Sequence, residues 1–117
     1  MISALHTTLS SLLAFARQLH SSAHNLANVN TDSFKRSETT LIEAPNGGVL
    51  PILQKDNSPG PTVLRNSPQG LIEVELSNTD IGTEIITSVI VQRAFEANIQ
   101  TIKTADTMLG GLLDLRK

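Results

Sequence analysis

The sequence predicts a mainly α fold. Two long terminal helices pack as an antiparallel coiled-coil-like pair, joined by a Pro/Gly-rich extended arm with two or three short β-strands. Three observations carry this expectation. First, all five prolines and four of the seven glycines fall between residues 45 and 70, and the first 44 residues contain neither. Proline inside a helix costs about 3 kcal/mol and glycine about 1, so the middle cannot be one helix whereas both ends can. Second, Ile2, Leu5, Leu9, Leu12, Ala16, Leu19, Ala23 and Leu26 recur at alternating intervals of 3 and 4, an a/d heptad that argues for a helix lying along another helix. Third, the same intervals from Ile81 give Ile85, Ser88, Gln92, Phe95, Ile99, Ile102, Asp106, Leu109 and Leu113, mostly apolar.

Three stretches of one domain follow from this division, residues 1–36, 37–76 and 77–117. The first helix is expected over about residues 2–28, roughly 40 Å at 1.5 Å per residue. It should end in the Asn-rich run from Asn25 to Thr31, because asparagine tolerates the left-handed conformation at a helix C-terminus. Phe34 then folds back onto the helix. In the middle, Val49–Leu53 and Thr62–Leu64 read as brief extended pieces. Ile72, Val74 and Leu76 alternate with Glu73 and Glu75, the pattern of a strand with one face buried. For the last helix, Asn78 or Asp80 is the expected N-cap, with Asp80 and Glu84 near the positive end of its dipole. Lys103, Arg116 and Lys117 lie toward the other end. Gly110-Gly111 is expected to loosen or kink the last turns, and Gln92 falls on the seam.

Composition narrows the function. The net charge is −2, so there is no basic footprint for nucleic acid. Without cysteine, thiolate catalysis and Cys-based zinc sites are excluded. No apolar run approaches the roughly 18–20 residues that span a bilayer. Charged residues are only 17%, and Ser, Thr, Asn and Gln together make up 36 of 117. Residues 1–31 hold a single formal charge, Arg17, where an exposed helix surface is usually about 25–35% charged. The polar face opposite the Leu stripe is therefore expected to be a second interface.

Catalytic constellations are weak. His20 and His24 stand four apart, as two zinc ligands do, but no glutamate lies between them and His6 is far along the helix, so they read as polar-face residues. Nothing resembles a nucleophile elbow, and Gly47-Gly48 lacks a phosphate-loop lysine. Ala14-Phe15-Ala16 imitates a signal-peptidase site, yet no basic residue precedes it and the heptad runs through it. A single Arg is too little charge for a membrane-surface helix. The sequence thus predicts no enzyme, no cofactor, no metal and no small-molecule substrate.

Two motifs carry a family resemblance. Asn25-Leu-Ala-Asn-Val-Asn-Thr-Asp-Ser-Phe-Lys-Arg36 resembles the Asn-rich turn after the N-terminal helix of bacterial flagellar rod and hook proteins. Ser77-Asn-Thr-Asp80, Gln92-Arg-Ala-Phe-Glu-Ala-Asn98 and Thr104-Ala-Asp-Thr-Met-Leu109 resemble that family's C-terminal helix. The resemblance implies a non-enzymatic subunit of the flagellar axis, polymerising through its terminal helices with itself and with other rod or hook subunits. It implies passage through the flagellar type III export apparatus without a cleaved signal peptide, and a place in the basal-body rod. With only about 40 residues between the motifs, the chain looks like the short proximal-rod type, although its C-terminal residues are as similar to hook and distal-rod types. Gly82 stands where the family commonly has a helix former.

The expected packing sets Leu5, Leu9, Leu12, Leu19 and Leu26 against Ile85, Phe95, Ile99, Ile102 and Leu109. Asn25, Asn28, Asn30, Thr31, Phe34 and Lys35 then form the turn motif, while Asn78, Gln92, Arg93 and Asn98 belong to the second motif. The alternative from another class is a helical-hairpin adaptor or secretion chaperone that forms a closed complex.

Overall fold

Two helices set the length of the molecule, α1 (Ile2–Ala27) and α2 (Ile81–Asp114). Between them the chain forms β1 (Ser37–Glu43), β2 (Val49–Lys55), β3 (Thr62–Ser67) and β4 (Gly70–Glu75). The structure is a computed structural model that describes the backbone of residues 2–45 and 47–115, with side chains from Leu5 onward. Expectations for the side chain of Ile2 and for Arg116 and Lys117 lie outside the described residues. The shape is extended, 82 × 25 × 18 Å.

The helices pack antiparallel. Ser22 and Asn25 of α1 reach Glu84 near the start of α2, while Ala16, Leu19 and Ala23 line an open groove together with Phe95 further along. Asp80 is the N-cap, its carboxylate accepting from the Gly82 N–H at 3.0 Å and the Thr83 hydroxyl at 2.8 Å. α2 runs unbroken through Gly110 and Gly111 to Asp114, so the expected loosening is not seen. Glycine's cost of about 1 kcal/mol per position is spread over a 34-residue ladder.

The middle is two antiparallel hairpins, β1–β2 and β3–β4, in separate two-stranded sheets. Four strands thus replace the expected two or three. β1 escapes a pattern-based reading because Ser37-Glu-Thr-Thr-Leu-Ile-Glu43 lacks a clean alternation of apolar residues. The hairpin β1–β2 lies along α1, where the backbone N–H of Val49 donates to Ser10 Oγ at 3.1 Å and a Cβ on Gly48 would stand 2.4 Å from that oxygen. The hairpin β3–β4 stands clear of the helices, with Leu64, Leu71 and Ile72 exposed. The expected buried face of Ile72, Val74 and Leu76 is therefore not formed, since no layer covers it; Val74 and Leu76 are only half-buried.

The most deeply buried side chains are not those of the expected stripe. The residues that α1 buries are Ala14, Ser21, Ser22 and Asn25, a small, hydroxylated face squeezed between β1 and α2. Small side chains let both neighbours approach, and the directional polar groups are taken up by hydrogen bonds. Leu9, Leu19 and Leu26 face outward, with Ile85 on α2 likewise exposed. On α2 the buried positions are Glu84 and Val91, one residue off the predicted stripe. Gln92, placed on the seam by the 3,4 spacing, is exposed and donates to Glu96 at 3.1 Å.

Candidate assembly interface

The two sequence motifs meet at a polar joint where α1 ends and α2 begins. Asn25, only 1% exposed, pairs with both backbone groups of Ser37: the Ser37 N–H donates to Oδ1 at 2.8 Å, and Nδ2 donates to the Ser37 carbonyl at 2.7 Å. The same Nδ2 donates to Glu84 Oε1 at 2.8 Å, and the Ser22 hydroxyl donates to Glu84 Oε2. Ser21 adds a bond to the Ser37 carbonyl at 2.7 Å. A buried carboxylate is costly unless its oxygens are occupied, and here both are. One amide thus joins the end of α1, the first residue of β1 and the first turn of α2.

Asn78 performs the corresponding task from the other motif. Its Oδ1 accepts from the Arg36 N–H at 2.7 Å, and its Nδ2 donates to the Asp56 and Ser58 carbonyls at 3.0 and 3.1 Å. The rest of the turn closes locally. Asn28 Nδ2 donates to the His24 carbonyl at 2.9 Å, satisfying one of the orphan acceptors of the helix end. Thr31 N–H donates to the Asn28 carbonyl at 3.0 Å. The ring of Phe34 lies 5.5 Å from that of His24, so Phe34 does fold back onto α1, and Asn30 is exposed.

Charge pairs fasten the hairpins to this joint. Lys35 Nζ donates to Glu75 Oε1 at 2.5 Å, and Arg36 to Asp56 at 3.0 Å. Arg65 makes a two-pronged contact with Asp32 at 2.6 and 3.1 Å. Hydrogen bonds from Ser58, then from Arg36, lower the Asp56 carboxyl to about 2. The Lys35 ammonium, followed by the Gly60 N–H, holds Glu75 below its ordinary value. The bond to Asp56 raises the Arg36 guanidinium, with smaller contributions from Glu38 and Glu84.

The outer surface is the apolar one. Leu9 is 54% exposed, Leu13 63%, Ile86 62% and Ile90 63%. A groove of about 380 Å³ between the helices is lined by Ala16, Leu19, Ala23 and Phe95, with His20 and Gln92 at its edge. Leu5, Leu12, Phe95, Ile99, Ile102 and Leu109 are half-buried. Arg93 is exposed and pairs with Glu96 at 3.0 Å, while Asn98 turns back on the Ala94 carbonyl at 3.2 Å. Sequence reasoning missed Ser22, Glu84, Val91 and Gly60 as joint residues. The signal for Gly60 was its place between Pro59 and Pro61, since a glycine held between two rigid residues marks a close backbone approach.

Among the described residues no group of three or more His, Cys, Asp or Glu could hold a metal, and no helix is long and apolar enough to cross a membrane. The geometry defines a helical-pair protein with a polar joint inside and an apolar surface outside. Comparison with known proteins places it more narrowly. A family profile described as flagellar basal body rod FlgEFG protein C-terminal matches residues 73–115. The flagellar basal-body rod protein FlgG of Borreliella burgdorferi is 37% identical over 59 residues, 50% of this chain and 22% of that protein. The flagellar hook protein FlgE of Escherichia coli is 42% identical over 43 residues, 37% of this chain and 11% of that protein. The hook protein FlgE of Treponema pallidum is 29% identical over 83 residues, 71% of this chain and 17% of that protein. Over part of its length the chain is similar to flagellar rod and hook proteins, and it spans less than a quarter of the length of each of these relatives.

Proposed function

We propose that this chain is a structural subunit of the bacterial flagellar axis, in the basal-body rod, and that it polymerises through its terminal helices. The observation that supports this reading is the inverted packing of α1. Serine, alanine and asparagine fill the contact with α2 and β1, whereas Leu9, Leu13, Leu19, Ile86, Val89 and Ile90 are left in solvent. Exposing a large aliphatic side chain forgoes about 1.5–3 kcal/mol relative to burying it, and exposed aliphatic residues in this number mark an interaction site. On two long parallel-sided helices the complementary surface is another pair of the same kind, repeated without closure. Its partners are itself and neighbouring rod or hook subunits, and the flagellar export apparatus delivers it.

The test is to isolate hook–basal bodies and ask whether this chain is present, together with the motility of a deletion strain. Recovery in the basal body supports the reading. A chain found only in the cytoplasm as a closed dimer or one-to-one complex sinks it in favour of the adaptor alternative.

A further inference from the structure

We propose that the cleft between α1 and the β1–β2 hairpin is a carboxylate-binding notch, occupied in the assembled axis by the distal part of α2 from a second copy. This inference rests on the polymerising reading above and names the partner for a region that reading does not use. The cleft holds about 400 Å³, and Arg17, His20, His24, Ser21 and Thr39 contribute its polar groups. Arg17 is the single formal charge of the first 31 residues, and its guanidinium makes no ion pair or hydrogen bond among the described residues. Thr39 is 6% exposed, and its hydroxyl is the one buried side-chain polar atom without a hydrogen-bond partner among the described residues. A buried hydroxyl without a partner is costly, and Thr39 forms part of the wall of the cleft that Arg17 lines. A carboxylate placed in the cleft matches the planar fork of arginine.

The chain itself carries a segment of the required chemistry. Counting both helices away from the Ser22–Glu84 contact, Ile2 lies 20 residues off, about 30 Å at 1.5 Å per residue, level with residue 104 of α2. The remainder of α2 runs past the end of α1, with Met108, Leu112 and Leu113 exposed. Residues 104–115 contain Asp106 and Asp114 and no Lys or Arg, and neither aspartate forms an ion pair among the described residues. At 100° per residue, Asp106, Gly110 and Asp114 share one face. A Cβ on Gly110 would meet nothing within 4 Å, so this face is bare backbone between two carboxylates and can be approached closely. Pro51 and Leu53 on the rim of the cleft offer apolar surface for the aliphatic residues beside them. Donor and acceptor lie on different regions of one molecule, so the contact is heterologous and propagates.

The test is charge exchange in the full chain, read as the protein concentration needed to form polymer by sedimentation and electron microscopy. Arg17→Asp alone, and Asp106→Arg with Asp114→Arg alone, should each raise that concentration at least tenfold. An equimolar mixture of the two variants should restore it, because each cleft then faces an opposite charge. Assembly of Arg17→Asp equal to the unaltered chain, or a mixture that fails to recover, overturns the notch. If Leu9→Asp abolishes polymer while Arg17→Asp does not, the notch is wrong and the polymerising reading stands. If the unaltered chain forms no polymer and is missing from basal bodies, both fall.

Discussion

Replacing Asn25 with Asp changes one atom of the polar joint and reverses its chemistry. The amide nitrogen that donates to the Ser37 carbonyl at 2.7 Å and to Glu84 Oε1 at 2.8 Å becomes an acceptor facing two acceptors. Two hydrogen bonds of about 1 kcal/mol each are lost, and leaving buried groups unsatisfied costs about 1–3 kcal/mol more. Two carboxylates about 4 Å apart at an effective dielectric near 20 repel by about 4 kcal/mol, an upper limit because proton uptake relieves it. The expected loss is about 4–6 kcal/mol, against a total stability of about 5–15 for a typical domain. Urea unfolding followed by circular dichroism at 222 nm measures it. The decisive comparison adds Glu84→Gln, whose amide can donate to the new carboxylate. The double variant should be at least about 2 kcal/mol more stable than the sum of the single losses predicts. An Asn25→Asp midpoint within 1 kcal/mol of the unaltered chain, or strict additivity with Glu84→Gln, would refute the claim that this amide holds three elements together.

Gly60→Ala should destabilise the chain by about 2–4 kcal/mol, combining overpacking with loss of the backbone bond that the Leu76 N–H donates to the Pro61 carbonyl at 2.8 Å. The added Cβ would stand 2.1 Å from the Leu76 carbonyl oxygen, and denaturant midpoints report the loss. Gly110→Ala, with open space around it, should instead stabilise α2 by about 0.5–1 kcal/mol, seen as a higher melting temperature. Acid should loosen the joint. The native pKa of Asp56, about 2, lies below its ordinary 3.8, so its contribution is complete above about pH 4 and disappears as pH falls through about 2; Asp56→Asn should flatten that part of a stability–pH curve. Leu12→Ala and Ile99→Ala, at half-buried positions, should each cost about 1–2 kcal/mol in the isolated chain, less than the roughly 2–5 of a fully buried site, and should impair swimming by more than that loss explains.

The helices are legible because proline and glycine are nearly excluded from both ends, and a backbone preference of this strength survives any tertiary context. Their partners are not. A 3,4 spacing identifies the stripe that seeks another helix, but it carries no information on whether that helix belongs to the same chain. The spacing therefore points the Leu stripe of α1 at α2, although Ser22, Asn25 and Glu84 lock the contact one face away. The shortage of charge over residues 1–31 holds the missing clue. Ser10, Ser21 and Ser22 are uncharged because they meet protein groups rather than water. The strands escape for a different reason. Alternation in Ile72-Glu-Val-Glu-Leu76 predicts a buried face only where a second layer exists, and β3–β4 has none within the chain.

This division of chemistry gives the fold its logic. Hydrogen bonds are directional, so a joint made of Asn25, Ser37, Asn78 and Glu84 fixes the angle at which two helices leave a turn. Hydrophobic attraction is non-directional and scales with area, so it specifies a mate poorly but rewards contact strongly. A chain that buried its leucines internally would use up that attraction on its own and gain little from association. Here the weaker, directional hydrogen bonds hold the single chain in shape, and the stronger hydrophobic attraction remains available on Leu9, Leu13, Ile86 and Ile90. On the proposed reading, assembly on such a scaffold needs no rearrangement of the joint, because the exposed apolar surface is separate from the contacts that set the geometry.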